Sequence, residues 1–169
     1  MTVATCVAPP EYKFGNLAGT EYKLRDWLTS YPLLLVAIDP YTAQSSWILD
    51  TAVRIFRHFQ PADIRVGWIC TGDVEATKAF LGPLAEEFLT ISDPKAELCK
   101  ELGIGVLPSL VHIRVDGFTQ HADSWDPQVW TKVTDWVATI AAWSKINLGV
   151  GPDPVAYEGT RIAPSSVAG

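Results

Sequence analysis

The side chains of this sequence best suited to covalent or metal chemistry are three thiols, Cys6, Cys70 and Cys99, and three imidazoles, His58, His112 and His121. Three scattered cysteines are too few for a disulfide scaffold or a four-ligand zinc site, and the histidines lack the short spacings that metal ligands use, so no metal or other cofactor is expected. Thiolate chemistry needs a sulfur activated by a helix N-terminus or a neighbouring base. Cys70 is the best placed, at the C-terminal end of an apolar run before Thr71-Gly72-Asp73, because ligand sites of open α/β sheets favour that edge. A free cysteine there is more often a small buried hydrophobe. Cys99 sits within a helical stretch and Cys6 near the N-terminus, neither with an activating partner in sequence. His112 and Arg114 share one face of a strand, which a solvated sheet face explains. The sequence has no phosphate-binding glycine loop, nucleophile elbow or metal-binding helix pair.

Composition narrows the partners. The 169 residues fit one domain, with residues 1–10 as an extension, 11–148 as the folded unit and 149–169 as a Pro/Gly/Ser-rich tail. The net charge is -6, and the 13 basic residues form no run or stripe, which argues against nucleic acid. The longest fully apolar run, Leu33–Ile38, is far short of the roughly 20 residues of a membrane span. With no signal-peptide pattern at the start, the expectation is a soluble, cytoplasmic protein without membrane insertion.

The elements that would position these groups follow from periodicity and punctuation. Residues 11–23 read as a small hairpin around Gly15-Asn16 and Gly19-Thr20, followed by a short helix over 24–29. The unbroken apolar run 33–38 is a central strand covered on both faces. From Ser46, the residues Trp47, Ile48, Ala52, Val53, Ile55, Phe56 and Phe59 recur at helical spacing and predict an amphipathic helix closed by Pro61. Residues 64–70 form a second strand, and Asp73 caps a helix that Gly82-Pro83 breaks. Residues 88–91 are a short strand, and Asp93-Pro94 and Asp126-Pro127 each read as a cap with proline at the first helical position. Between them, residues 109–115 and 118–122 form a hairpin about a two-residue Asp116-Gly117 turn. The last helix is expected to reach about residue 145, with Trp130, Val133, Trp136, Val137, Ile140 and Trp143 on one stripe. The tail beyond Gly149 is either a mobile end or a docking arm, and terminal segments favour the first. The fold class is α/β, a central mixed sheet flanked by helices.

Three segments give this order a family resemblance. Residues 88–104, Phe-Leu-Thr-Ile-Ser-Asp-Pro-Lys-Ala-Glu-Leu-Cys-Lys-Glu-Leu-Gly-Ile, resemble the Ser-Asp-Pro helix of peroxiredoxins. Residues 105–113, Gly-Val-Leu-Pro-Ser-Leu-Val-His-Ile, resemble the stretch where thioredoxins place a cis-proline. Residues 38–46, Ile-Asp-Pro-Tyr-Thr-Ala-Gln-Ser-Ser, occupy the strand-to-helix turn that holds the active site in that superfamily. Over roughly residues 11–146 the chain is similar to the thioredoxin-like superfamily, especially its peroxiredoxin and redoxin-like branch, and the resemblance implies a thioredoxin-like fold with Pro108 as the cis-proline.

The resemblance also exposes what is missing. The family's cysteine positions fall on Thr42 and Ser45, and a hydroxyl has too high a pKa for a helix dipole to deliver an anion near neutrality. Peroxiredoxins place a threonine three residues before their peroxidatic cysteine; Thr42 and Ser45 copy that spacing without the sulfur, and the family's peroxide-polarising arginine falls near Leu107. No catalytic residue is therefore assigned, and a redox-inactive protein-binding, accessory or chaperone module is the expected function. The alternative is a divergent thiol-disulfide oxidoreductase or peroxiredoxin-like enzyme using Cys70 or Cys99. The resemblance implies a partner groove rimmed by Pro40, Tyr41, Thr42 and Ser45 on one side and Leu107 and Pro108 on the other. Among seven tryptophans, Trp125 is the expected exposed contact. Asp26-Trp-Leu-Thr29, followed by the apolar strand and Asp39-Pro40, is similar to thioredoxin-fold chaperones of hydrogenase maturation, which would make the partner a metalloenzyme subunit.

Overall fold

The computed structural model describes residues 2–162. Its elements are β1 (Ala4–Val7), β2 (Lys13–Gly15), β3 (Glu21–Lys23), α1 (Leu24–Trp27), β4 (Leu33–Ile38), α2 (Ala43–Trp47) and α3 (Leu49–Phe59). There follow β5 (Arg65–Cys70), α4 (Val74–Leu81), α5 (Leu84–Glu87), β6 (Leu89–Ser92) and α6 (Glu97–Glu101). The chain continues with β7 (Val106–Leu107), β8 (Ser109–Ile113), β9 (Phe118–Asp123), α7 (Pro127–Ala141) and β10 (Thr160–Arg161). Six strands form one mixed sheet in the order β1-β9-β8-β4-β5-β6. β4, β5 and β6 run parallel, as helical crossovers require, while β8, β9 and β1 are antiparallel.

Every residue of β4 is buried, because both of its faces are covered. Leu34, Val36 and Ile38 pack with Phe56, Trp68, Trp130 and Val137, on the face that carries α3 and α7. Leu33, Leu35 and Ala37 pack with Trp27, Leu98, Leu102 and Val111 on the other face. The strand's two-residue period thus divides one apolar run between two cores. In α3, Ala52, Val53, Ile55, Phe56 and Phe59 are buried and Arg57 is exposed, as the helical spacing predicts. Asp73 and Asp126 cap α4 and α7 by accepting from the Ala76 and Gln128 N–H groups, and Pro127 opens α7.

Several boundaries differ from expectation. Residues 4–7 lie inside the stretch read as an extension, yet pair with β9 as an edge strand, and Cys6 sits there half-buried with its thiol donating to the Leu102 carbonyl. The long second helix is interrupted at Ile48, which ends α2 and starts α3 with ψ near -8°. That break turns Trp47 off the buried stripe and leaves it 54% exposed. Pro94 is not at the start of a helix: α6 begins three residues later, after Ala96 at φ 54°, and the Asp93 carboxylate reaches forward to the Leu98 and Cys99 N–H groups. The β8–β9 connection is four residues, 114–117, and not a two-residue turn; in it Gly117 at φ 90° donates to the Arg114 carbonyl. α7 stops at Ala141, and Ala142 takes a left-handed φ of 52°, which carries Trp143 off the stripe; Ile140, inside the helix, is also exposed and does not join it.

Candidate functional site

The mouth of α2 lies where β4 ends. Asp39, Pro40, Tyr41 and Thr42 make the turn, and Thr42 is the N-cap residue in extended conformation, without a side-chain cap. Ser45 is fully buried beneath this turn. Its Oγ accepts from the Asp39 backbone N–H (2.9 Å) and from the Thr42 hydroxyl (3.3 Å), and Tyr41 N–H donates to the Asp39 carboxylate (2.9 Å). Neither partner of the Ser45 hydroxyl is a base, so nothing at this position generates a nucleophilic oxygen. The hydroxyl acts as a staple that ties the start of the turn to the first turn of the helix. Tyr41, 71% exposed, projects from the rim.

None of the three thiols is activated. All three are free. Cys70 is fully buried on the α3 face of the sheet and Cys99 on the opposite face. Burial is the main cause that pushes the Cys70 thiol up to about 11, and burial together with the Asp93 carboxylate holds Cys99 well above its ordinary value. Burial also raises Cys6. Each is protonated near neutrality, the reverse of what thiol catalysis needs.

The facing wall is β7 and the loop after it. The Leu107–Pro108 peptide bond is cis, at the proline the family resemblance singles out. Behind it lies a polar cluster that sequence reasoning missed. The Asp123 carboxylate accepts from His121 Nδ1 (2.7 Å), the Ser109 hydroxyl (2.8 Å) and the Gly105 N–H (3.1 Å). Burial opposes ionisation of Asp123, yet these hydrogen bonds outweigh it and bring its pKa below the ordinary carboxylate value. The i, i+2 spacing of His121 and Asp123 on one strand face was the available signal. Ser109 donates to the carboxylate, not to the imidazole, so the trio is no nucleophile–base pair; it fixes residues 105–109.

Four of the seven residues expected at the groove, Ser45, Leu107, Pro108 and Trp125, are buried. Leu107 is 2% exposed and Trp125 is fully buried, which corrects the expectation that Trp125 is an open contact. The cover is the tail. Residues 149–162 dock across the site, and the tail residues 163–169 lie outside the described residues. β10 pairs antiparallel with β7, Tyr157 exchanges both backbone hydrogen bonds with Trp125, and the Trp125 indole N–H donates to the Pro154 carbonyl (2.8 Å). Trp125 also stacks edge-on against Trp130, with centroids 4.9 Å apart. The Asp26 and Thr29 pair of the hydrogenase-chaperone resemblance closes α1: Asp26 accepts from Lys23 N–H, and Thr29 donates to the Arg25 carbonyl.

A separate cavity of about 530 Å³ is lined by Asn16, Tyr22, Trp27, Arg65, Phe88 and Leu89 among others, and no thiol or imidazole lines it. Among the described residues no helix is long and apolar enough to cross a membrane.

No protein-family model matches the sequence, and no curated protein matches it. Solved structures do. A secreted Mycobacterium tuberculosis disulfide oxidoreductase homologous to DsbE of E. coli is 16% identical, with TM-score 0.59 over 78% of this chain and 95% of its own. The peroxidoxin BcpB of Mycobacterium tuberculosis is 14% identical, with TM-score 0.62 over 84% and 98%. The hypothetical protein SMc02350 of Sinorhizobium meliloti is 14% identical, with TM-score 0.66 over 93% of both chains. At such identities the likeness shows the fold, which is thioredoxin-like, with the oxidoreductase and peroxiredoxin branches as its structural neighbours.

Proposed function

We propose that this chain is a redox-inert, cytoplasmic thioredoxin-like module that acts by binding a protein partner, as an accessory or chaperone factor, at the groove between residues 40–45 and 106–109. One observation carries the reading: where the fold family places its nucleophile, the buried Ser45 hydroxyl is engaged as a backbone staple. The burial and raised pKa of Cys70 and Cys99 disfavour the divergent thiol enzyme as the alternative. Main-chain pairing along β7 is the mode by which the groove would take an extended segment, as β10 of the tail does here.

The test compares insulin reduction and peroxide turnover by the wild type and a Cys6→Ser, Cys70→Ser, Cys99→Ser variant. Both are expected to stay at the uncatalysed rate. Turnover in the wild type that disappears in the variant overturns the reading.

A further inference from the structure

The tail that crosses the groove has the geometry of a bound peptide. It is rooted at Asp153, whose carboxylate accepts from the Thr51 hydroxyl (2.8 Å), the Arg54 guanidinium and the Gly149 N–H (2.9 Å). From there it runs extended across both walls. Tyr157 is half-buried, its hydroxyl donates to the Gln44 carbonyl of α2, and its ring meets Trp47 edge-on at 5.3 Å. Gly159 N–H donates to the Ser124 hydroxyl (2.8 Å), and Ile162 N–H donates to the Gly105 carbonyl (2.9 Å). Thr160 and Arg161 lie opposite Leu107 and Val106. Glu158 is exposed, and Tyr157 and Gly159 on either side of it make the contacts.

Gly159 is the selective position. A Cβ built there would stand 2.2 Å from the Leu107 carbonyl oxygen, a contact no side chain tolerates. The ring two residues earlier fills the space over Trp47, which the break at Ile48 leaves turned outward.

We infer that the groove recognises an extended segment of the pattern aromatic-x-Gly, read by Gln44 and Trp47 at the aromatic and by the Leu107 backbone at the glycine, and that residues 154–162 are its resident occupant, which a partner segment of the same pattern must displace. The inference rests on the proposed binding function and names the ligand's chemistry. An occupant tethered only a few residues from its anchor competes at an effective concentration in roughly the millimolar range, so the intact chain binds a partner segment weakly until the tail leaves.

The experiment uses the full chain and a fluorescent peptide of residues 154–162. Gly159→Val and, independently, Tyr157→Ala release the tail, uncovering Trp125 but leaving the sheet and its helices unsubstituted, and tryptic cleavage after Arg161 reports that release. Both variants are expected to be cut faster than the wild type and to bind the peptide about tenfold or more tightly, whereas a peptide carrying the glycine-to-valine change binds none of the three proteins. Equal peptide affinity for the wild type and both variants, equal binding of the valine peptide, or a tail that stays protected in both variants overturns the inference. Redox assays separate the two proposals: thiol turnover with peptide binding intact sinks the redox-inert reading alone, and silent redox assays with no peptide binding sink this one alone.

Discussion

The Thr42 hydroxyl donates to the Ser45 hydroxyl across 3.3 Å, at the two positions that the family resemblance aligns with a cysteine pair. Thr42 is half-buried and Ser45 fully buried, so the first position is reachable and the second is shielded. The two hydroxyls thus tie the turn to the first turn of α2.

The Thr42→Cys, Ser45→Cys double variant is expected to form a disulfide within the turn. A disulfide needs its sulfurs about 2.05 Å apart, and side chains already in contact reach that by small rotations. Thiol titration after mild oxidation should show two fewer free thiols than in the reduced variant, and insulin reduction should rise above the wild-type rate. A double variant that keeps all its thiols under oxidation shows that the turn is not a dithiol scaffold.

Differential labelling tests the thiol burial. Cys6 is half-buried, whereas Cys70 and Cys99 have no exposed surface. A pKa near 11 in place of about 9 lowers the thiolate fraction of Cys70 about 100-fold at mildly alkaline pH. In native protein at pH 8, Cys6 is expected to react first with a disulfide reagent, and the other two only on denaturation. Prompt reaction of Cys70 in the native state would revive it as a redox centre.

The polar cluster behind the cis-proline makes stability depend on Asp123. Its folded pKa lies below the unfolded value, so its contribution is complete above an ordinary carboxylate pKa near 4 and is lost as pH falls through the folded value. Asp123→Asn is expected to cost about 1–3 kcal/mol at neutral pH by weakening the acceptor for His121, Ser109 and Gly105. Denaturant midpoints of variant and wild type should converge as the pH drops below about 4. A constant gap down to pH 2 contradicts the assignment.

Much of the fold was legible because local rules and tertiary context agree. The six apolar residues of β4, the stripe of α3, and the caps at Asp73 and Asp126 each have one physical solution. The cis bond before Pro108 followed from a resemblance that the local residues alone could not have established. What escaped depends on distant chain. β1 is a short edge strand with little buried surface, so Ala4–Val7 carries no alternation strong enough to read. Trp125 lies beside a helix cap, an ordinary surface position, and it is buried by distant chain: it packs in the core against Trp130, with residues 154–157 docked over it. The tail was unreadable for the same reason: Gly and Pro deny it a core of its own, but its docking uses backbone hydrogen bonds, which every sequence possesses.

His112 gives the sharpest acid signature. It is 1% exposed, its Nδ1 has no hydrogen-bond partner among the described residues, and its ring stands edge-on to Trp136 with centroids 5.6 Å apart. Burial, with a smaller contribution from the Arg114 guanidinium, lowers its pKa to about 4 from about 6.5. Because the folded value is depressed, the unfolded chain takes up this proton first. Stability is therefore full above pH 6.5 and declines as pH falls toward 4. His112→Phe keeps a ring against Trp136 and removes both the orphan nitrogen and the titration. The variant is expected to match or exceed wild-type stability at pH 7, by up to about 1 kcal/mol, because removing an unsatisfied buried polar atom relieves its desolvation cost. Between pH 6.5 and 4 its denaturation midpoint should fall less steeply than that of the wild type. Parallel pH profiles for the two proteins would mean that His112 is solvated or hydrogen-bonded in solution, and that the β8–α7 packing around it is looser than its burial indicates.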